Sequence, residues 1–389
     1  MQLIRLTRAL AGIAVLVLAH GALAGVLPDD RADVFFSQYS GGGMKIDGYS
    51  ALVQKRITED LGVEADYFID KVSGASVDVI TNASVIKDER HQKTVNVEYI
   101  RNKTTYSLGF TNSTERDYIS NTPHFQISQD MFGDLTTVTL GFSSTRNTIG
   151  ENIGKANMPN VAWVGTSKSR SYSLGLSQII TRNLIGGVTV DVISDAGDLA
   201  NPYRFILFRD AADPPKFYSF GTQVYPLTRT STAIEGRAKY YLPYRAAATV
   251  SYRYFRDTWG ITSETVEFGY THPISNIWIL EGRVRVYEQG HADFYSDLFS
   301  RANAQNFMAR DKELAAQKNV TVGAKATYAF LPEGWKFFKR GTATLDISRM
   351  RIKYSDFRDI KDYPTDTAGA APLYQFDATI YQLYLSMFF

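Results

Sequence analysis

Tyr381-Gln382-Leu383-Tyr384-Leu385-Ser386-Met387-Phe388-Phe389 ends the chain and decides how the rest is read. Side chains of a strand alternate between its two faces. Tyr381, Leu383, Leu385, Met387 and Phe389 therefore share one face, and Gln382, Tyr384, Ser386 and Phe388 the other. The first face is apolar or aromatic throughout, while the second is more polar. At the edge of a soluble sheet such a strand would invite edge-to-edge aggregation. It is satisfied where the apolar face meets lipid and both backbone edges are paired, as in a strand of a transmembrane β-barrel. The competing assignment is the last strand of a soluble sandwich.

The other end of the chain favours export. Arg5 and Arg8 precede an uncharged apolar run over residues 9–19, and Ala22-Leu23-Ala24 fits a small-x-small cleavage site before Gly25. Residues 1–24 are expected to be a secretory signal peptide, leaving residues 25–389 as one exported domain. The chain has no Cys, which excludes a lipoprotein anchor, disulfides, thiolate chemistry and Cys-ligated metal. Beyond residue 24 no apolar stretch approaches the ~20 residues of a spanning helix. Aromatics are abundant, with 24 Tyr and 23 Phe, the residues that membrane barrels place in girdles at both interfaces. Removing the signal takes two bases from the 42 Lys and Arg and leaves 40, against 40 Asp and Glu. A formal net charge of zero gives no support to nucleic-acid binding.

From Asp33 onward, alternating segments are joined by connections of two lengths. Short turns are expected at Thr58-Glu59-Asp60, Arg101-Asn102-Lys103, Gly133-Asp134, Arg182-Asn183, Pro243-Tyr244-Arg245, Pro273-Ile274-Ser275-Asn276 and Pro332-Glu333-Gly334. Longer connections fall near residues 71–93, 113–123, 148–168, 196–229, 290–317 and 355–375, with short ones at 40–44 and 257–260 on the same side. Periplasmic turns against longer extracellular loops is the asymmetry of outer-membrane barrels. Seven short turns, eight outer connections and two free ends give sixteen strands, from residues 34–40 to residues 379–389, with fourteen the rival count. The fold class is therefore all-β, a transmembrane antiparallel up-and-down barrel. One strand departs from simple alternation. Leu345 and Ile347 share one parity, whereas Met350, Ile352 and Tyr354 take the other, which predicts a bulge near Ser348-Arg349.

If the apolar faces meet lipid, the opposite faces line a lumen. Early strands contribute Glu64, Asp66, Asp70 and Glu98, and middle strands mostly Ser and Thr. Later strands contribute Arg237, Lys239, Arg253, Arg283, Arg285 and Lys325, with Glu235, Glu267 and Glu281 among them. Rolled into a barrel, acids face one side of the pore and bases another. Such a field orients polar solutes. The competing reading is a network of inward ion pairs that fills and stiffens the wall. Residues 297–317, where Ala302, Ala304, Ala309, Ala315 and Ala316 alternate with charges, look helical, either as a constriction folded inward or as an outer cap. Residues 201–229, with Pro202, Pro214, Pro215, Pro226 and many aromatics, read as an ordered outer hairpin.

Catalysis finds little footing. Beyond the signal only His91, His124, His272 and His291 remain. His272 adjoins a short turn. His91 and His124 fall near the expected outer rim, where Ser and Asp are plentiful without forming a motif. His291 and Asp293 are too few for a metal site. No catalytic, cofactor or metal residue is assigned.

Several segments are similar to one known family. Val34-Phe35-Phe36-Ser37-Gln38-Tyr39-Ser40, Met44-Lys45-Ile46-Asp47 and Asp70-Lys71-Val72-Ser73-Gly74-Ala75-Ser76 resemble the opening of domain-of-unknown-function family 3570. Later matches are Asn201-Pro202-Tyr203-Arg204, Tyr225-Pro226 with Arg229, Ala309-Arg310-Asp311-Lys312-Glu313-Leu314 and Tyr354-Ser355-Asp356-Phe357-Arg358-Asp359. The resemblance departs at Arg116, where Asn is expected. It implies an exported outer-membrane barrel in a Gram-negative envelope, with a place in an envelope redox or cofactor system and a small lipoprotein as partner. The terminal Phe389 strand likewise resembles the closing strand that the barrel-assembly machinery handles. The functional expectation is a porin-like channel or conduit for a small polar solute or a partner protein. The alternatives are a plugged structural barrel and, behind it, an outer-membrane hydrolase.

Overall fold

In the computed structural model, residues 27–74, 86–152, 161–212, 218–360 and 369–389 are described. The expected signal peptide lies outside them. Eighteen strands follow in order: β1 (Arg31–Gly41), β2 (Met44–Arg56), β3 (Leu61–Gly74), β4 (Ile86–Arg101), β5 (Thr104–Thr114), β6 (Tyr118–Met131), β7 (Thr136–Asn152), β8 (Val161–Thr181), β9 (Leu184–Gly197), β10 (Phe205–Arg209), β11 (Tyr218–Thr222), β12 (Thr228–Tyr241), β13 (Ala247–Asp257), β14 (Thr262–Pro273), β15 (Trp278–Gln289), β16 (Gln317–Leu331), β17 (Arg340–Arg358) and β18 (Leu373–Phe388). Sixteen of them close one antiparallel barrel, and β10 with β11 form a separate hairpin. The seam closes between the first and last strands. β1 pairs with β18 from Arg31↔Phe388 to Gly41↔Ala378, so Val34 meets Leu385. The Phe389 amide donates to the Asp30 carbonyl at 3.0 Å, tying the two ends of the barrel together. With no edge left open, every strand of the barrel has two partners, which is what a sheet needs inside lipid.

Alternation explains each wall. On β18, Tyr381, Leu383 and Leu385 are exposed to the outside, whereas Ala378, Ile380 and Gln382 are buried inward. The same outward belt holds Val95, Val97 and Tyr99 on β4, Leu140 and Phe142 on β7, Leu174 and Leu176 on β8, and Val266 and Phe268 on β14. Apolar residues exposed in this number are in their proper solvent only when that solvent is lipid. Among the described residues no helix is long and apolar enough to cross a membrane; the strands do the crossing.

All seven short turns occur where the sequence places them, at one end with the two chain termini. Three expectations need correction. The connection foreseen over residues 113–123 shrinks to residues 115–117, because β5 and β6 run on as a ladder to Thr114↔Ile119. Residues 297–317 are not helical beyond the single 3-10 turn Lys312–Leu314; the alanines there are packed by long-range contacts rather than by helix periodicity. The bulge near Ser348-Arg349 does not exist, since β17 stays in unbroken register with β18 and β16 through that point. What changes there is the surroundings, not the parity. Above Ile347 the outward face carries Arg349, Arg351 and Lys353, while Met350, Ile352 and Tyr354 turn inward. The strand has left the lipid and its inner face has met an apolar core.

Candidate functional site: the lumen and its outer closure

Every residue expected to line the pore occupies the inward parity of its strand. On the first wall Glu64, Asp66 and Asp70 of β3 stand beside Glu98 of β4. Glu64 accepts from the Asn96 amide (2.9 Å) and Asp66 from the Ser50 hydroxyl (2.5 Å). Asp70 is buried against the Arg90 guanidinium. Arg31 reaches Asp33 at 3.2 Å and Glu64 at 4.0 Å.

The second wall is basic. Glu235, Arg237 and Lys239 lie on β12, Arg253 on β13, Glu267 on β14, Glu281, Arg283 and Arg285 on β15, and Lys325 on β16. Several of these cations are paired. Arg237 contacts Glu235 (2.8 Å), Lys325 contacts Glu281 (2.7 Å), and Arg253 approaches Asp191 at 3.7 Å. Arg283 forks onto Asp346 at 2.7 and 2.9 Å and also donates to Ser348 at 2.6 Å. That fork passes over β16 at Gly323, where a Cβ would lie 2.7 Å from the Ser348 hydroxyl and 2.9 Å from Arg283. Glycine there is a requirement of close approach. Among the described residues neither Lys239 nor Arg285 has a carboxylate within 4.0 Å.

The two walls are opposed. In the strand order β3 is eight places from β13, and β4 eight places from β14, out of sixteen. Counted from the short-turn ends of their strands, Glu64, Asp66 and Glu98 lie three to five residues in, and Arg237, Lys239, Glu281 and Arg283 two to five. Between them runs a hydroxyl-rich wall in which Thr94 bonds Thr111 (3.1 Å), Ser128 bonds Thr139 (3.1 Å) and Ser173 donates to Asp191 (2.8 Å). His124 belongs to this wall and not to the rim. It faces inward on β6 and meets Asn96 at 2.7 Å, across the space left by Gly109. His91 faces outward, bonded to Tyr67 (2.7 Å), and His272 bonds Tyr270 (2.9 Å) beside its turn. His291 pairs with Asp356 (2.8 Å) rather than with Asp293.

The feature the sequence did not announce is at the far end. The described parts of two connections, residues 198–212 with 218–227 and residues 290–316, bridge the mouth. Tyr225, Trp259, Phe294, Leu314, Ile352, Phe357 and Tyr374 form one apolar cluster that joins these connections to the inner faces of β17 and β18. Met350 and Phe376 link it to a second cluster of Tyr39, Ile46, Val72 and Ile380 on β1, β2, β3 and β18. Buried ion pairs fix the closure. Arg204 is bonded to both Asp311 and Glu313, and Tyr225 donates to Asp311 at 2.7 Å. Arg310 bonds Asp297 (2.8 Å) and lies over the Phe357 ring (4.4 Å). The Tyr203 hydroxyl donates to Asp117, between β5 and β6 and three to four strands round the ring from β9, where its connection leaves the wall. Asp88, Glu115 and Asp117 gather carboxylate oxygens within 4.8 Å there, the donor type that suits a hard cation, and burial raises the Glu115 carboxyl above its usual range. Asp88 is too distant in sequence for that group to be foreseen. The segments 201–204, 309–314 and 354–359, read from the sequence only as family signatures, meet in this closure.

A closed sixteen-stranded barrel with an apolar belt outside and charged walls inside is an outer-membrane β-barrel of porin-like architecture. The chain belongs to the family described as "Protein of unknown function (DUF3570)", which matches residues 81–340. Among solved structures it is similar to a bacterial polysaccharide outer membrane secretin, with 8% identity over 92% of this chain and 98% of that one and a TM-score of 0.49. It is similar too to a loop-deletion mutant of OmpT, an outer membrane protein of Vibrio cholerae, with 9% identity over 93% and 98% and a TM-score of 0.42. OccK2 (OpdF) of Pseudomonas aeruginosa, in complex with glucuronate, shows 9% identity over 92% and 98% and a TM-score of 0.43. No curated protein matches the sequence.

Proposed function

We propose that the protein is a non-enzymatic conduit of the outer membrane for a small polar solute. The observation that carries this reading is the opposed pair of charged walls, with Glu64, Asp66 and Glu98 facing the β12–β16 wall, where among the described residues Lys239 and Arg285 form no ion pair within 4.0 Å and Arg285 stands across from Glu267 in the register. A barrel filled only for stiffness would neutralise these groups locally, as Arg283 and Asp346 do. Charges left facing water across a pore instead orient a dipolar solute and raise its local concentration. The closure then acts as the gate on the outer side.

Proteoliposome swelling with neutral, anionic and zwitterionic solutes of similar size tests this. Arg285→Glu should change the ranking of the solutes while leaving the barrel folded. An unchanged ranking, or no uptake of any solute even when the closure is loosened, would reject the conduit.

A second reading, a structural barrel held shut or tied to a small lipoprotein, is favoured by the closure itself, whose buried ion pairs and apolar cluster bridge the mouth. Pull-down from native membranes separates the two, because a bare conduit comes away alone. The seam at Phe389 is, on either reading, the part offered to the barrel-assembly machinery.

A further inference from the structure

On the outside of the barrel, β7 and β8 pair with Leu140↔Leu174, Phe142↔Tyr172, Ser144↔Arg170 and Arg146↔Lys168. All of these alternate positions face outward. The first two pairs are lipid-facing, with the Phe142 and Tyr172 rings 5.2 Å apart as an upper girdle. Directly above them come three cations. Arg146 and Lys168 are opposed across the ladder and Arg170 is one step below, all exposed. Like charges placed opposite each other in a sheet repel. Elsewhere on the outward face near this height, several cations carry acids: Lys71 meets Glu89 (3.5 Å), Lys318 meets Glu288 (3.1 Å), and Arg349 and Arg351 share Asp377 (2.9 and 2.8 Å). Among the described residues Arg146, Lys168 and Arg170 have no carboxylate within 4.0 Å. Asp198, at the end of the neighbouring strand, is taken by the Thr166 amide at 3.0 Å.

We infer that Arg146, Lys168 and Arg170 form a binding surface for the phosphates of the acylated glycolipid of the outer leaflet. The position supplies both halves of such a ligand. Its acyl chains lie on Leu140, Leu174 and the Phe142–Tyr172 girdle, and its phosphates meet the cations one strand-step higher. Two guanidinium forks and an ammonium on adjacent strands suit a phosphorylated headgroup, since Arg bonds phosphate bidentately and Lys adds a point charge. The loop-bearing end, where these residues lie, is the outer one. The inference therefore rests on the membrane placement of the barrel and not on what its lumen carries.

Refolded barrel in detergent, verified by heat-modifiable migration, is mixed with lipid A and the bound fraction is read by native mass spectrometry. Each basic residue near an anionic surface contributes about fivefold, so Arg146→Gln, Lys168→Gln and Arg170→Gln together should weaken lipid A binding about a hundredfold. Lys168→Gln alone, which keeps the fold if the triple variant does not, should weaken it about fivefold. Dephosphorylated lipid A and phosphatidylglycerol should bind the wild type as weakly as lipid A binds the triple variant. The control Lys71→Gln, Lys318→Gln, Arg351→Gln, with the same charge loss elsewhere on the barrel, should keep wild-type affinity. Equal weakening in that control, unchanged binding by the Lys168 variant, or equal affinity for phosphatidylglycerol would overturn the inference.

Discussion

Removing the Arg204 guanidinium should open the outer mouth without unfolding the barrel. Arg204 and Asp311 are both almost wholly buried, at 3% and 1% side-chain exposure, and Arg204 also holds Glu313. Arg204→Ala removes the guanidinium from the buried Asp311 carboxylate, which still accepts from the Tyr225 hydroxyl (2.7 Å). Deleting one member of a buried pair costs about 3–5 kcal/mol. At about 1.4 kcal/mol per tenfold, the open closure becomes more populated by about a hundredfold to several thousandfold. The barrel wall does not depend on this pair, because its strands are held by their own ladders. Limited trypsin digestion of the folded protein in detergent reads the difference. Cleavage within residues 198–227 and 290–316 should accelerate by that factor, while the barrel remains heat-modifiable. Adding Asp311→Asn should recover part of the protection, since it removes the buried negative charge that Arg204 balanced. Wild-type protection of both connections in Arg204→Ala would refute the idea that buried ion pairs hold the mouth shut.

Three further outcomes follow from the walls and the seam. Leu383→Lys on the lipid face should destabilise the barrel by about 2–4 kcal/mol, and Gln382→Lys on its inner neighbour by far less, measured by urea unfolding in lipid vesicles. Gly109→Val puts a side chain where Asn96 and His124 meet, so it should break their 2.7 Å bond and shift the His124 imidazole resonance by NMR, while Gly236→Val, facing outward with open space, should leave it in place. Asp30, which accepts from the Arg56 amide (2.6 Å) and the Lys55 ammonium (2.9 Å), is held below the ordinary carboxylate value of about 3.9 by those bonds. Its contribution to the seam is complete above that value and is lost as pH falls through the lower folded one. Amide exchange near Phe389 should therefore speed up below about pH 4 in the wild type, and Asp30→Asn should show the faster exchange at every pH.

Much of the fold was legible because a barrel strand must satisfy one rule everywhere. Val95, Val97 and Tyr99 must differ from Asn96 and Glu98, and turns such as Arg182-Asn183 must punctuate the pattern. The parity of all thirteen expected lumen residues follows from that rule, since a slip of one residue would put each of them in lipid. The closure was not legible for the same reason. Its contacts join Tyr203 to Asp117 and Arg204 to Glu313 over long stretches of chain, and no period links them. The alternation rule misled at Met350, Ile352 and Tyr354, where an apolar face meant the closure rather than lipid. The alanines of residues 297–317 misled in the same way, because tertiary packing overrode helix propensity. His124 lies below the rim because the ladder of β5 and β6 extends further than the Asn and Ser content of residues 111–122 suggests.

Single-channel recording in planar bilayers under a salt gradient tests the central claim most directly, with wild type, Arg204→Ala and Arg204→Ala/Arg285→Glu compared side by side. Brief openings are expected for the wild type and long ones for Arg204→Ala. The reversal potential is expected to move toward cation selectivity when Arg285 becomes acidic. Silence from a folded Arg204→Ala barrel, or a reversal potential indifferent to Arg285, would contradict it.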